Sequence, residues 1–145
     1  MNPYAGIANI CTLVGRVLLA LLFLISGVGL IGAFSVVTAD MAVKNIPVPD
    51  AFLGLTIALW LSGGLCLLLG WKARSFAGVM FLAMIPITFV FHAPWASDPS
   101  HFQNELNHFL MNIAIMGGLL LIVGFGAGSF SLDDRRVADS SSRNS

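Results

Sequence analysis

The sequence predicts an all-α integral membrane protein, a bundle of four transmembrane helices with both chain ends on the cytoplasmic side. Of its 145 residues, 57% are hydrophobic and only 10% are charged, and the mean hydropathy is +0.90. Soluble domains carry roughly 25% charged residues, so these charges are too few to cover a surface that faces water. Four apolar stretches also have about the 20-residue length that a helix needs to cross a bilayer.

The four predicted spans cover residues of about 11–34, 51–70, 75–92 and 104–126, within one transmembrane domain of residues 1–128. A cleaved signal peptide is a poorer interpretation of the first stretch, because its apolar part exceeds the roughly 7–15 residues usual for one. We expect Arg16, near the start of this span, to snorkel to the headgroups; the alternative is a functional charge inside the membrane. In the third span Pro86 predicts a kink, with Thr88 near enough to bond the freed carbonyl.

The distribution of lysine and arginine predicts the orientation, because cytoplasmic loops carry an excess of both. With four spans, the two termini lie on the same side of the membrane. That side carries Arg16, Lys72, Arg74, Arg135, Arg136 and Arg143, and the other side carries Lys44 alone. Both termini are therefore expected in the cytoplasm. Residues 129–145 are polar and rich in serine, which predicts a cytoplasmic tail that is disordered beyond its first few residues.

Between the first two spans, Phe34, Val37 and Met41 recur at helical spacing. This pattern predicts a short helix at the membrane interface. The following "NIPVPD" predicts extended backbone, because a residue that precedes proline disfavours the helical region.

Small residues at four-residue spacing predict how the helices pack, because close approach of backbones drives helix association in lipid. We expect these residues to face the interior of the bundle. Cys11 and Cys66 have two open interpretations, a redox pair or small packing residues. The small residues are Ala58, Ser62, Cys66 and Gly70 on the second span, Gly29 and Ala33 on the first, Ala73 and Ala77 on the third, and Ala114 and Gly118 on the fourth.

The polar run "HFQNELNHFLMN" at residues 101–112 is the candidate site. Ser100 and Gln103 have capping-box spacing, so the fourth helix is predicted to begin near His101. At 100° per residue, His101, Glu105, His108 and Asn112 share one stripe of that helix.

Together with His92, from the end of the third span, and Trp95, from the loop after it, this stripe offers a candidate outer-side pocket for a quinone or haem, which consists of His92, Trp95, Glu105, His108 and Asn112. One alternative is a metal site of three ligands, His92, Glu105 and His108. The preferred interpretation is a water-facing helix end, at which the histidines, Trp95 and Glu105 lie at the membrane interface and Asn112 and Asn107 bond across helices.

The segments "VGRVLLALLFLISGVGLIGAF", "GGLCLLLGWKAR", "HFLMNIAIMGGLLL" and "GAGSFSLDDRR" resemble the DoxX family of small four-helix bacterial membrane proteins, from about Leu13 to Arg136. The resemblance implies a multi-pass protein of the bacterial plasma (inner) membrane. Family names derive from a proposed small subunit of a quinol oxidase or thiosulfate:quinone oxidoreductase, so a quinone-linked redox role is implied by resemblance alone.

The chain departs from the family pattern at three positions where many relatives carry Lys, Glu and Lys. Here these positions hold Leu30, Trp60 and Met111. Their loss leaves no ionisable path for proton relay through the bundle, and no catalytic motif is present. The net charge of zero argues against nucleic acid as a partner.

Three functions are therefore considered. The leading expectation is a non-catalytic subunit or scaffold of a membrane assembly, formed as a homo-oligomer or with redox partner subunits; the resemblance implies that this assembly is quinone-linked. The second is a quinone-, haem- or metal-binding protein at the outer leaflet. The third is a transporter of small neutral solutes.

Overall fold

The computed structural model describes residues 5–135, which are helical and contain no strand. The predicted cytoplasmic tail lies largely outside this range. Four helices of the described structure are long and apolar enough to cross a membrane, which confirms the predicted all-helical class with four helices that could span a bilayer. The elements are α1 (Ala5–Gly32), α2 (Phe34–Val43), α3 (Pro49–Leu69), α4 (Ala73–Phe91), a 3₁₀ turn (Pro94–Ala96) and α5 (Phe102–Phe125).

The helix lengths suit a bilayer. The 21 residues of α3 extend about 31 Å at 1.5 Å per residue, close to the roughly 30 Å of a hydrocarbon core. The short helix predicted after the first span is present as α2, and it buries Met41. The extended backbone predicted before α3 is wrong at Val48, which adopts the left-handed region with φ of 48° and ψ of 57°. The chain reverses there within a few residues, so α3 begins directly at Pro49.

The bundle is built from two helix pairs, α1 against α3 and α4 against α5, joined by contacts between α3 and α4. At the interface of α1 and α3 the rings of Phe23 and Trp60 meet edge to face, with centroids 5.0 Å apart. Met80 and Leu119, from α4 and α5, are fully buried in the same core. Trp60 is therefore a packing residue.

Glycines on the inner face of α3 allow the close approach. A Cβ on Gly64 would lie 2.9 Å from Leu24 Cγ and 3.2 Å from the Ala20 carbonyl oxygen of α1, and a Cβ on Gly63 would overlap Met80 Sδ of α4. These two adjacent glycines therefore let α3 contact α1 on one side and α4 on the other, as small residues do in membrane bundles.

The prediction of which small residues face inward is only partly confirmed. On α4 it is correct, because Ala73 and Ala77 are fully buried. On α3 it is correct for Cys66 and Gly70, whereas Ala58 and Ser62 lie on the exposed side of the helix. The inner face of α3 consists of Trp60, Gly63, Gly64 and Leu67. The predicted stripe therefore faces outward in its first half and the core in its second half.

On the other two spans the outcome is also mixed. Gly29 is exposed, and Gly27 forms the close contact of α1 instead, since its Cβ would lie 2.9 Å from Leu61 Cδ2. Ala114 on α5 is exposed, whereas Gly118 is half-buried with Leu19 Cδ1 3.1 Å from the position of its Cβ.

Helix α4 continues through Pro86 without a break in its helical assignment. The predicted hydrogen bond from Thr88 to the carbonyl freed by Pro86 is not formed. Thr88 is fully buried, and its hydroxyl has no partner in the described part of the chain.

The two ends of the bundle differ in character. We call the tail end the one at which α3 turns into α4 and α5 ends, where Arg16, Gly70 and residues 126–135 lie together. The loop end is the opposite one, with α2, the segment between α4 and α5, and the start of α5. The predicted pocket lies at the loop end.

Candidate functional site

The start of α5 positions the polar run at the loop end. Helix α5 begins at Phe102 with His101 as its N-cap, as predicted, and the Asp98 carbonyl accepts hydrogen bonds from the amides of both residues. The predicted capping box is wrong. The Ser100 hydroxyl contacts His101 Nδ1 at 3.1 Å, because Ser100 lies one residue before the N-cap and so too early to cap the first turn.

The loop end brings together three of the five predicted site residues. Glu105 Oε2 of α5 lies 3.2 Å from Nδ1 of His92, the residue that ends α4. The His108 ring lies beside that of His92, with centroids 5.2 Å apart and planes inclined by 31°. Because the carboxylate accepts the Nδ1–H of His92, a neutral ring presents Nε2 as a hydrogen-bond acceptor.

This cluster is only partly shielded from solvent. The side chains of His92 and Glu105 are 31% and 26% exposed, and His108 is exposed. The pair is therefore worth little for stability, about 0–1 kcal/mol. The arrangement leaves an imidazole nitrogen and a second imidazole available to donate to or accept from a ligand.

The other two predicted site residues lie elsewhere. Trp95 is 65% exposed and belongs to an aromatic cluster with Phe89 and Phe109, with centroid distances from its ring of 6.0 and 5.6 Å. Asn112 is half-buried. No side-chain hydrogen bond across helices is formed by it or by Asn107 in the described residues; Asn107 accepts one from Gln103 of its own helix at 3.1 Å.

The geometry does not favour the three-ligand metal alternative. Within residues 5–135 no group of three His, Cys, Asp or Glu side chains is arranged to hold a metal ion. The inclined stacking of His92 and His108 accounts for this, because rings that lie side by side do not direct their nitrogens at one point as zinc requires.

The loop end also contains two open grooves. One, of about 260 Å³, lies between the end of α2 and the start of α5, and its lining includes Lys44 and Glu105. The second, of about 370 Å³, runs past Trp95 on the aromatic side. The first is lined by Lys44, Val90, Phe91, Ala93, Ala96, Ser97, Asp98, His101 and Glu105, and the second by Pro94, Trp95, Ser97, Pro99 and Phe102.

The tail end contains a second constellation, which sequence reasoning missed. Arg16 is only 2% exposed, so the snorkelling prediction is wrong. Its guanidinium donates to the Ala127 carbonyl and, at 2.7 Å, to the Phe130 carbonyl. Gly126 and Gly128 turn the chain there, with φ of 87° and 79°. We call Arg16 together with residues 126–134 the C-terminal clamp.

Asp133 closes the clamp onto α4. Its carboxylate accepts hydrogen bonds from the Lys72 amide at 2.8 Å and the Ala73 amide at 3.0 Å, and its own amide donates to the Gly70 carbonyl at 3.0 Å. Lys72 is the N-cap of α4 and offers no side-chain cap. Asp133 therefore caps α4 from a distant part of the sequence, in the position where a carboxylate also favours the helix dipole.

The signal for this clamp was the segment "GAGSFSLDD", which combines glycines with an aspartate directly after the last span. From residue 129 onward the sequence predicts only a polar tail. The structure contains ordered chain as far as residue 135, whereas the tail residues 136–145 lie outside the described range. The two cysteines are both free, Cys11 exposed and Cys66 buried.

Comparison with known proteins decides the family. The DoxX family model matches residues 11–93, more than half of the chain. The chain belongs to the DoxX family. It is also 31% identical over 127 residues to the inner membrane protein YqjF of Escherichia coli, an alignment that covers 86% of this chain and 91% of that protein. The matched range contains most of α1 and all of α2, α3 and α4. It does not include the start of α5, where most of the candidate site lies.

Two eukaryotic proteins named Surfeit locus protein 4 homolog are also similar. The Schizosaccharomyces pombe protein is 31% identical over 70 residues, 47% of this chain and 23% of its own length. The Drosophila melanogaster protein is 25% identical over 131 residues, 88% of this chain and 42% of its own length. The chain thus spans less than half of either protein. No solved structure gives a significant match.

Proposed function

We propose that this DoxX-family membrane protein is a non-catalytic subunit or scaffold of a plasma-membrane assembly, into which it docks through one face of α3. The observation that carries the proposal is a line of small residues, Gly54, Ala58 and Ser62, on the exposed side of that helix. The bundle does not use them, since its own contacts come from Gly63 and Gly64 on the inner face.

The shape of this face suits another helix. A Cβ on Gly54 would meet nothing within 4 Å, and the line of small residues is bordered by Leu55 and Leu65, which are 68% and 50% exposed. Small residues between larger ones form a shallow groove on the helix surface, which allows a partner helix to approach closely. The Ser62 hydroxyl donates a hydrogen bond to the Ala58 carbonyl at 2.6 Å. Its proton is therefore satisfied within the helix even where Ser62 faces lipid.

The interior supports a non-catalytic role. The centre of the described bundle is filled by Phe, Trp, Met and Leu side chains. Its one buried charged side chain in the described range, Arg16, holds the C-terminal clamp. A proton relay through the membrane needs ionisable groups spaced along a path. The described spans contain no charged side chain between Arg16 and the loop end.

The orientation that goes with this proposal has both chain ends in the cytoplasm. Described basic residues at the tail end are Arg16, Lys72, Arg74 and Arg135, against Lys44 alone at the loop end. The positive-inside rule favours the cytoplasm for the richer side. Reporter fusions after residue 145 test this, and an exported carboxyl-terminal reporter would overturn the orientation.

The docking proposal is tested by affinity purification of the full chain in mild detergent, with the mass of the particle measured. We expect a homo-oligomer or a stoichiometric partner, lost in Gly54→Leu and retained in the matched control Gly29→Leu. Both glycines are exposed, and a Cβ on either meets nothing within 4 Å. A wild-type chain that purifies as a monomer without associates, or equal loss in both variants, contradicts the proposal.

A second candidate function is quinone binding at the loop end, favoured by the stacked His92 and His108 rings beside Glu105. Imidazole nitrogens suit the two carbonyl or hydroxyl oxygens of a quinone headgroup. The test is the quinone content of protein purified from membranes, compared with His108→Phe and with His101→Phe as the control. A wild-type protein with no extractable quinone ends this candidate.

A further inference from the structure

The groove between α2 and α5 contains charges of both signs that do not neutralise one another. Its lining includes Lys44, which follows α2, Asp98 of the segment between α4 and α5, and Glu105 of α5. The one ion pair in the described residues joins His92 and Glu105, so neither carboxylate lies within 4.0 Å of Lys44 Nζ. A cation and two carboxylates that share one groove without direct contact leave space for a ligand that carries both charges.

The charged residues that line this groove keep free hydrogen-bonding capacity. Lys44 Nζ lies 5.8 Å from the centroid of the Phe91 ring, and a cation above an aromatic face keeps its other donors available. Glu105 uses Oε2 for His92, and its Oε1 forms no hydrogen bond in the described part of the chain. Asp98 contributes its main-chain carbonyl to the start of α5, which leaves its exposed carboxylate uncommitted.

The location of the groove indicates a ligand that comes from the bilayer. The groove lies at the loop end of the spans, and Val90 in its lining is 45% exposed on the lipid-facing side of α4, next to Phe89 at 50%. Its volume of about 260 Å³ is below the 300–1,000 Å³ of sites that enclose drug-sized ligands. It therefore suits a headgroup whose acyl chains lie along the apolar outside of α4.

We infer that this groove binds the headgroup of a zwitterionic aminophospholipid, with the phosphate at Lys44 and the primary ammonium between Glu105 and Asp98. An anionic headgroup satisfies Lys44 but faces two carboxylates without a cation. A choline headgroup carries the same charges, but its quaternary ammonium has no N–H to donate. The order of binding is therefore phosphatidylethanolamine first, followed by phosphatidylcholine and phosphatidylglycerol. The site does not depend on the docking face of α3, because the two share no residue.

The test is native mass spectrometry of the full chain in detergent with phosphatidylethanolamine, phosphatidylcholine or phosphatidylglycerol of identical acyl chains. We expect Lys44→Met and Glu105→Gln each to weaken phosphatidylethanolamine binding about five-fold, which corresponds to about 1 kcal/mol for one charge at a membrane surface. The matched controls Lys72→Met, at the tail end, and Asp50→Asn, outside the groove, should bind as the wild type does. Gel filtration of each variant checks that the fold is intact.

Three outcomes would overturn the inference. Equal binding of all three lipids removes the selectivity, and stronger binding of phosphatidylglycerol indicates a simple basic site at Lys44. Equal affinity for soluble glycerophosphoethanolamine shows that a free zwitterion, and not a lipid, is the ligand. Lys44 does not contact the histidine cluster, so Lys44→Met separates this site from quinone binding, which depends on His92 and His108.

Discussion

The C-terminal clamp makes a strong prediction about stability, namely that Arg16→Ala destabilises the protein. The guanidinium donates to two carbonyls, of Ala127 and Phe130, and a hydrogen bond with a charged partner is worth about 1.5–3 kcal/mol. Two such bonds give about 3–6 kcal/mol. The hydrogen bond to the Phe130 carbonyl is only part-buried, so water can replace part of the loss there, and we expect a decrease of about 3 kcal/mol in the free energy of unfolding, at the low end of this range.

The assay is reversible unfolding in mixed detergent micelles, followed by far-UV circular dichroism. Arg16→Lys should recover about half of the loss, because one ammonium reaches one of the two carbonyls in place of the bidentate fork. Asp133→Ala removes the cap of α4 and should cost about 1–2 kcal/mol. Arg135→Ala is the control, since Arg135 is exposed and its side chain forms no hydrogen bond in the described residues. If Arg16→Ala matches this control within about 0.5 kcal/mol, the clamp does not stabilise the bundle.

Two further predictions concern packing. Gly64→Ala should lower the free energy of unfolding by about 1–3 kcal/mol through overpacking, because its Cβ would lie 2.9 Å from Leu24 Cγ. The control Gly117→Ala should be neutral or stabilising, because a Cβ there meets nothing within 4 Å. The same unfolding assay measures both variants, and equal effects would contradict the close approach of α3 and α1. The second prediction is that a membrane-permeant maleimide labels the exposed Cys11 in the native protein and the buried Cys66 only after denaturation. Mass spectrometry of peptides detects the labelled cysteines. Rapid labelling of Cys66 in the native protein would be inconsistent with its burial.

The spans and the location of the polar site were predictable because lipid imposes simple requirements on sequence. A helix that crosses a bilayer must be apolar for about 20 residues, so four such stretches identify α1, α3, α4 and α5. The contact of His92 with Glu105 and His108 follows from depth: the end of α4 and the start of α5 meet at the same level. The positions of Trp95 and Asn112 could not be predicted, because they depend on the rotation of α5 and on the path of the connecting loop.

Which small residues face inward was harder to predict from spacing. Gly54, Ala58 and Ser62 recur every fourth residue, as do Ser62, Cys66 and Gly70, but a four-residue step drifts around a helix of 3.6 residues per turn. One continuous line on α3 therefore begins on the outside and ends in the core. The spacing identifies a surface for close helix contact without indicating whether the second helix belongs to the same bundle.

The role of Arg16 was missed because its partners are main-chain carbonyls. A carboxylate at the same depth would have indicated an ion pair, but carbonyl acceptors have no signature in the side chains of a sequence. The local indication in the sequence was the glycines after the last span, because Gly126 and Gly128 adopt positive φ angles that turn the chain so that the carbonyls after α5 meet the guanidinium.

The order of synthesis gives the clamp a further consequence. Arg16 enters the membrane with the first helix, whereas its acceptors at Ala127 and Phe130 follow 111 and 114 residues later. During translation the Arg16 guanidinium must therefore be hydrated or bound by a chaperone until the last helix has been inserted. We expect nascent chains that stop before Ala127 to be recognised by quality-control proteases, whereas chains released after Asp133 escape; pulse-chase decay rates of the two truncations would reveal this difference.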